Sequence, residues 1–158
     1  MADLSYISNL PPANQALFQA KIQKKLTFEE IAKAIGRSET YLATAFYGNM
    51  PLDDEELGKL CEVLDLDLGV LQSISPAVNF MPSRAQTMEM PPRDPTIYRL
   101  YEVVLVYGYA FKSLIAEKFG DGIMSAICFS SKVEKEVDAD GTWVKITLRG
   151  KFLPYIKY

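Results

Sequence analysis

The 158-residue sequence contains no histidine, and that absence excludes more than any residue present. A histidine-activated serine or cysteine nucleophile and a histidine-ligated zinc are both ruled out. Any catalysis must rest on carboxylate, guanidinium, amine, hydroxyl or backbone groups. Cysteine is nearly as scarce. Cys61 and Cys128 stand alone, too few and too far apart for a disulfide framework or a metal knuckle, and both are expected to be reduced and mostly buried. Positive charge is not in excess either. The formal net charge is −3, which gives no electrostatic pull toward nucleic acid or an anionic membrane. No apolar run reaches the roughly 18 residues of a membrane span. The stretch "MADLSYISNLPPANQ" has no basic segment leading into an apolar one. The expectation is a cytoplasmic chain without a membrane partner.

What is present suits a folded protein of one domain or two small ones. The hydrophobic fraction is 49% and the charged fraction 23%, ordinary for a soluble core-forming chain. From Asn14 to about Ser73 the pattern predicts short helices joined by tight turns. "ANQALFQAKIQKK" sets Leu17, Phe18 and Ile22 on an apolar side. "TFEEIAKAIG" has Thr27 as N-cap, Glu30 at the capping-box position and Gly36 as its stop. "SETYLATAFYG" repeats the device between Ser38 and Gly48. "DDEELGKLCEVLDL" opens on acidic residues, which the helix dipole favours, and predicts Leu57, Leu60, Val63 and Leu64 as its buried face. Between Ser75 and Pro92 periodicity is lost and prolines punctuate the chain, so this is the expected linker. The predicted domains are residues 1–86, helical, and residues 87–158.

The second domain is expected to open on a long helix. Asp94 is placed as its N-cap, Pro95 at its first helical position and Gly120 as its C-cap. "DGIMSAI" predicts a turn leading into a short element around Ser125. "ICFSSKVEKEV" and "TWVKITLRGKFL" predict two strands joined near "DADG". Val144, Ile146 and Leu148 alternate with Lys145, Thr147 and Arg149, which predicts one wet sheet face. The fold class is therefore α+β: a helical bundle, then a long helix and a short β-hairpin.

"LTFEEIAKAIGRSETYLATAFYG" has the helix-turn-helix pattern of DNA-binding domains, with "GRS" as the turn. Its second helix offers Glu39, Thr40, Tyr41, Ala43 and Thr44 as readers, with Arg37 just ahead. Residues 1–85 carry 7 Lys and Arg against 11 Asp and Glu, and phosphate neutralisation supplies most non-specific DNA affinity. The motif is thus expected to be a packing solution, with no nucleic acid partner. The alternative is a transcriptional regulator that reads DNA through this motif and dimerises through its C-terminal half.

The run "DPTIYRLYEVVLVYGYAF" is apolar on every side of its helix, and a helix of that kind is normally buried all round. A domain of about 70 residues can hardly surround a helix about 37 Å long, so association between subunits is the natural cover. Arg99 and Glu102, three residues apart, share one face of it. They are either a surface ion pair or a functional site at an interface. Burial makes such a pair costly to keep for stability alone, and the functional reading is favoured. Ser125, lacking a histidine, cannot be an activated nucleophile. It is a turn or strand serine, or a donor to an oxyanion with neighbouring backbone N–H groups as co-donors.

Taken together, "DPTIYRLYEVVLVYG", "EKFGDGIMSAI" and "GKFLP" resemble the cyanase family (cyanate hydratase, or cyanate lyase). The resemblance spans the C-terminal half, and the helix-turn-helix-like half ahead of it fits the family's architecture. It implies catalytic roles for Arg99, Glu102 and Ser125. It implies a homodecamer, a pentamer of dimers with active sites at subunit interfaces. The implied reaction joins cyanate and bicarbonate, giving carbamate and carbon dioxide, and carbamate then releases ammonia. That is cyanate detoxification and nitrogen metabolism, with bicarbonate as co-substrate and no metal or other cofactor. Glu102 is expected to orient Arg99 through paired hydrogen bonds.

Overall fold

Capping chemistry sets the limits of most helices. The computed structural model describes residues 5–74 and 89–156. The chain divides into two units, Met1–Met88 and Glu89–Tyr158; most of the linker expected between them lies outside the described residues. In the first unit a 3₁₀ turn (Ser5–Asn9) precedes α1 (Pro12–Lys24), α2 (Phe28–Ile35), α3 (Glu39–Phe46), α4 (Asp54–Leu64) and α5 (Leu68–Ile74). Thr27 closes the expected capping box. Its Oγ1 accepts from the Glu30 N–H at 3.1 Å while Glu30 Oε2 accepts from the Thr27 N–H at 2.7 Å. Asp53 and Glu56 form a second box at the start of α4. Ser38 caps α3, and Gly36 ends α2 in the left-handed region at φ 78°.

The core of this unit lies where α1, α2, α3 and α4 converge. Phe46, Ile31, Leu42 and Leu60 are wholly buried. Phe46 meets the ring edges of Phe18 and Phe28 at centroid distances of 5.2 and 5.1 Å, the offset that aromatic quadrupoles prefer. Asn14 ties α1 to the end of α3, its amide donating to the carbonyls of Ala45 and Phe46. Leu57, Leu60 and Leu64 are buried as expected, whereas Val63 is only half-buried. Ile22, expected on the apolar side of α1, is 48% exposed; Ala13, Leu17, Phe18 and Ala20 make the buried face instead. Cys61 is buried as expected, whereas Cys128 is exposed, contrary to expectation.

The second unit is built differently. Asp94 Oδ1 accepts from the N–H groups of Thr96 and Ile97, starting α6 (Pro95–Phe119), which runs 25 residues to Gly120. β1 (Gly122–Asp138) and β2 (Gly141–Pro154) then form an antiparallel two-stranded ribbon. At its tip Asp138 Oδ1 accepts from the N–H groups of Asp140 and Gly141 and from the Trp143 indole. These bonds, the indole's foremost, hold the Asp138 carboxyl below the usual range.

Two expectations change here. The segment "DGIMSAI" is strand from Gly122 onward rather than a turn, so the hairpin is longer than its pattern predicted. Val144 and Leu148 are also exposed, at 77% and 57%; the sheet face predicted to be dry is uncovered in one chain. No residue of α6 is buried. In contrast to the helical unit, this one has no apolar core of its own among the described residues.

Phe46→Ala should therefore destabilise the helical unit by about 3–5 kcal/mol, the usual cost of emptying an aromatic core position. A lowered urea midpoint with an unchanged slope, followed by far-ultraviolet circular dichroism, would register that loss.

Candidate active site

Arg99 and Glu102 stand one helical turn apart on α6, and the pair is made within the chain: Arg99 Nη1 donates to Glu102 Oε2 at 2.6 Å. This hydrogen bond raises the Arg99 pKa further above its ordinary value, so the guanidinium is a permanent cation. The bond is single, not the paired arrangement expected. Glu102 reaches up one turn and meets only one fork nitrogen. The other guanidinium donors have no partner among the described residues. The two side chains are 74% and 46% exposed, set among Ile97, Leu100, Val103 and Val106, which are exposed as well. An ion pair thus sits in an apolar surface that a single chain leaves open.

Ser125 is positioned by an irregularity in the ribbon. Met124 pairs with Phe152 and Phe129 with Gly150, so four residues of β1 stand opposite Lys151 alone. The surplus chain folds back on the serine. Ser125 Oγ accepts from the N–H of Ile127 at 3.1 Å and from that of Cys128 at 3.0 Å. The side chain that organises this loop is 3% exposed. The N–H groups of Ile127 and Cys128 are consequently engaged with the serine oxygen and do not point outward beside it. Among the described residues no hydrogen bond or ion pair joins Ser125 to Arg99 or Glu102.

Sequence reasoning missed two residues with particular structural roles. Gly150 allows close approach of β2 to Ser125: a β-carbon there would lie 2.5 Å from Met124 Cγ and nearer still to the Ser125 carbonyl oxygen. A glycine inside a strand pattern signals such an approach, and "TLRGKFL" carried that signal. Glu56 is the other. It is a buried carboxylate of the helical unit that receives the Arg37 guanidinium, and Arg37 also lies over the Tyr41 ring at 5.0 Å. The cation ahead of the helix-turn-helix second helix is thereby held inside its own unit. The polar groups of α3 are engaged likewise. Tyr41 donates its hydroxyl to the Pro51 carbonyl and Thr44 to the Thr40 carbonyl.

Among the described residues no group of three or more Cys, Asp or Glu is placed to hold a metal ion, and no helix is long and apolar enough to cross a membrane. A helical unit with a helix-turn-helix pattern, followed by one long helix and a two-stranded ribbon bearing these polar residues, defines an α+β architecture. Two family descriptions match the chain. "Cyanate hydratase, N-terminal" covers residues 13–74 and "Cyanate lyase C-terminal domain" covers residues 89–157. The crystal structure of cyanase from T. urticae is similar at a TM-score of 0.76 and 30% identity, over 90% of this chain and 96% of that one. The chain belongs to the cyanate lyase family, and it is an enzyme of the cyanase class that decomposes cyanate.

Replacing Ser125 by Ala removes the acceptor of two N–H groups, each bond worth about 1 kcal/mol. Amide exchange at Ile127 and Cys128 should accelerate roughly fivefold for each bond lost. The ladder amides of Val133 and Ile146 should keep their rates, as hydrogen-exchange mass spectrometry of the two segments can resolve.

Proposed function

We propose that the enzyme decomposes cyanate in a bicarbonate-dependent reaction, at sites that are completed where subunits meet. The observation that carries this reading is the Arg99–Glu102 pair, set in a helix surface that is apolar on all sides and uncovered in one chain. Association would bury that surface, and it would bring the pair into the low-dielectric setting where a charge binds small anions strongly. The assembly proposed is a homodecamer, arranged as a pentamer of dimers.

The chemistry asks for two anions side by side. At about 4 Å their repulsion is roughly 1 kcal/mol in water and roughly 4 at an effective dielectric of 20. Arg99 offsets it with a charge that does not titrate away and a planar fork suited to the carboxylate-like face of bicarbonate. Glu102 occupies one fork nitrogen and fixes the plane of the guanidinium, leaving donors for substrate. Arg99 residues of neighbouring subunits supply the net positive charge that the pair alone lacks. Ser125 donates a hydrogen bond to one bound anion.

A bicarbonate oxygen attacks the cyanate carbon, and holding the two together supplies several kcal/mol by proximity. The new carbon–oxygen bond gives a carbonic–carbamic adduct. Its nitrogen takes the proton that bicarbonate carried and a second proton from water. Breaking the bond between the former bicarbonate carbon and the bridging oxygen releases carbon dioxide and leaves carbamate. Carbamate takes up one further proton and separates into ammonia and carbon dioxide. No metal or organic cofactor takes part in this scheme. In a cytoplasmic setting the reaction removes a reactive anion and returns its nitrogen as ammonia. No nucleic acid role is proposed for the helical unit.

Purified enzyme should release ammonia from cyanate in bicarbonate buffer and fall to background once bicarbonate and carbon dioxide are stripped away. Cyanate left intact with bicarbonate present would reject the reading. Arg99→Lys replaces the fork with a point charge, and it should lose most turnover while keeping the wild-type circular dichroism spectrum and assembly size.

A further inference from the structure

We infer that Gly150 is a positioning residue for catalysis, because its bare backbone holds Ser125 as a hydrogen-bond donor only. This inference rests on the proposed role of Ser125 at the anion site. A hydroxyl offers two lone pairs and one proton. In Ser125 both acceptor positions are taken, by the N–H groups of Ile127 and Cys128. The proton is what remains. Among the described residues it has no acceptor, although the residue is 3% exposed and buried hydroxyls are normally satisfied. A donor without a partner, whose lone pairs are already fixed, is preorganised for an anion. It neither rotates to accept from solvent nor turns a lone pair toward the negative charge.

The loop that creates this arrangement depends on the opposing strand. Four residues of β1 face one of β2 between the Met124–Phe152 and Phe129–Gly150 pairs. The folded-back backbone needs space, and residue 150 provides it. A β-carbon there would press on the Ser125 carbonyl and lie 2.5 Å from Met124 Cγ, distances that real β-carbons essentially never show. The nearest obstacle is backbone, so relief requires Ser125 itself to move. Gly122 is an internal control on the same ribbon. A β-carbon there would lie 2.5 Å from the Leu153 carbonyl and from the Phe152 ring, a comparable clash that involves no atom of Ser125.

The test is a double-mutant cycle on the full-length assembled enzyme, with ammonia release from cyanate and bicarbonate as the readout. Ser125→Ala should lower kcat about 10²-fold, the usual cost of removing one preorganised donor. Gly150→Ala should lower kcat by at least tenfold with little change in KM for cyanate. It should also speed amide exchange at Ile127 and Cys128. The Gly150→Ala/Ser125→Ala double variant should be within about threefold of Ser125→Ala alone, since coupled residues are not additive. Gly122→Ala combined with Ser125→Ala should instead multiply their separate effects.

Multiplicative losses for Gly150→Ala and Ser125→Ala would overturn the inference, as would wild-type kcat in Gly150→Ala. Failure of Gly150→Ala to assemble while Gly122→Ala assembles would assign Gly150 to the fold alone and overturn it too. Full activity in Ser125→Ala would instead remove the role of Ser125 on which the inference rests. That outcome is separate from any result obtained with Gly150→Ala.

Discussion

Everything in the second unit depends on an apolar surface that one chain does not bury. Helix α6 carries Ile, Leu, Val, Tyr and Phe side chains around its whole circumference, yet none is buried. The ribbon beside it exposes Val144, Leu148 and Ile127. Leaving apolar area of this extent in water costs about 25 cal/mol for each Å², and isolated two-stranded ribbons are marginal by themselves. The sequence has therefore placed the stability of this unit outside a single chain. The helical unit is the opposite case. Its caps, aromatic cluster and ion pair close on themselves, and its surface needs no partner to account for its composition.

The same constraint gives the charged turn of α6 its meaning. In water Arg99 and Glu102 would be one more exposed pair, of small consequence for stability. Placed beneath the cover that the surrounding side chains require, they become a cation and a carboxylate in a medium that screens poorly. Burial of a single-bonded pair would leave guanidinium donors unsatisfied, and unsatisfied buried donors are expensive. In the proposed site a small planar anion would satisfy them. The apolar surround and the incomplete hydrogen bonding thus point to the same occupant, and the absence of histidine leaves the guanidinium as the principal means of holding it.

How far the sequence made this visible depended on the range of each interaction. Local signals were legible. Thr27 with Glu30, Ser38, Gly36, Asp94 and Gly120 marked helix ends that the structure places within a residue, because capping is decided by a few neighbouring atoms. The adjacency of Arg99 and Glu102 was equally clear, since helical spacing fixes it. Features set by distant chain were not. Ile22 is exposed because no other described element covers that side of α1, and "KIQKK" says nothing about it. The irregular form of the chain around Ser125 was not legible because it comes from a register mismatch with Gly150 and Phe152 of β2, more than twenty residues further along the chain. The sequence placed Arg37 just ahead of α3 but could not show Glu56, on another helix, holding it.

The register mismatch also explains why a serine suffices where other enzymes employ histidine. A histidine works by moving a proton, which requires a pKa near neutrality. The scheme proposed here asks its protein groups for no such transfer, because bicarbonate arrives carrying a proton and water provides the rest. What is needed is a fixed positive charge and a fixed donor. A guanidinium supplies the first at any physiological pH. In the proposed scheme a serine whose lone pairs are occupied supplies the second, and the surplus residues of β1 occupy them with backbone N–H groups. The ribbon's irregularity and the missing histidine are in that sense one design. Chemistry that moves no proton through a side chain can be done by groups that do not titrate, provided the backbone holds them still.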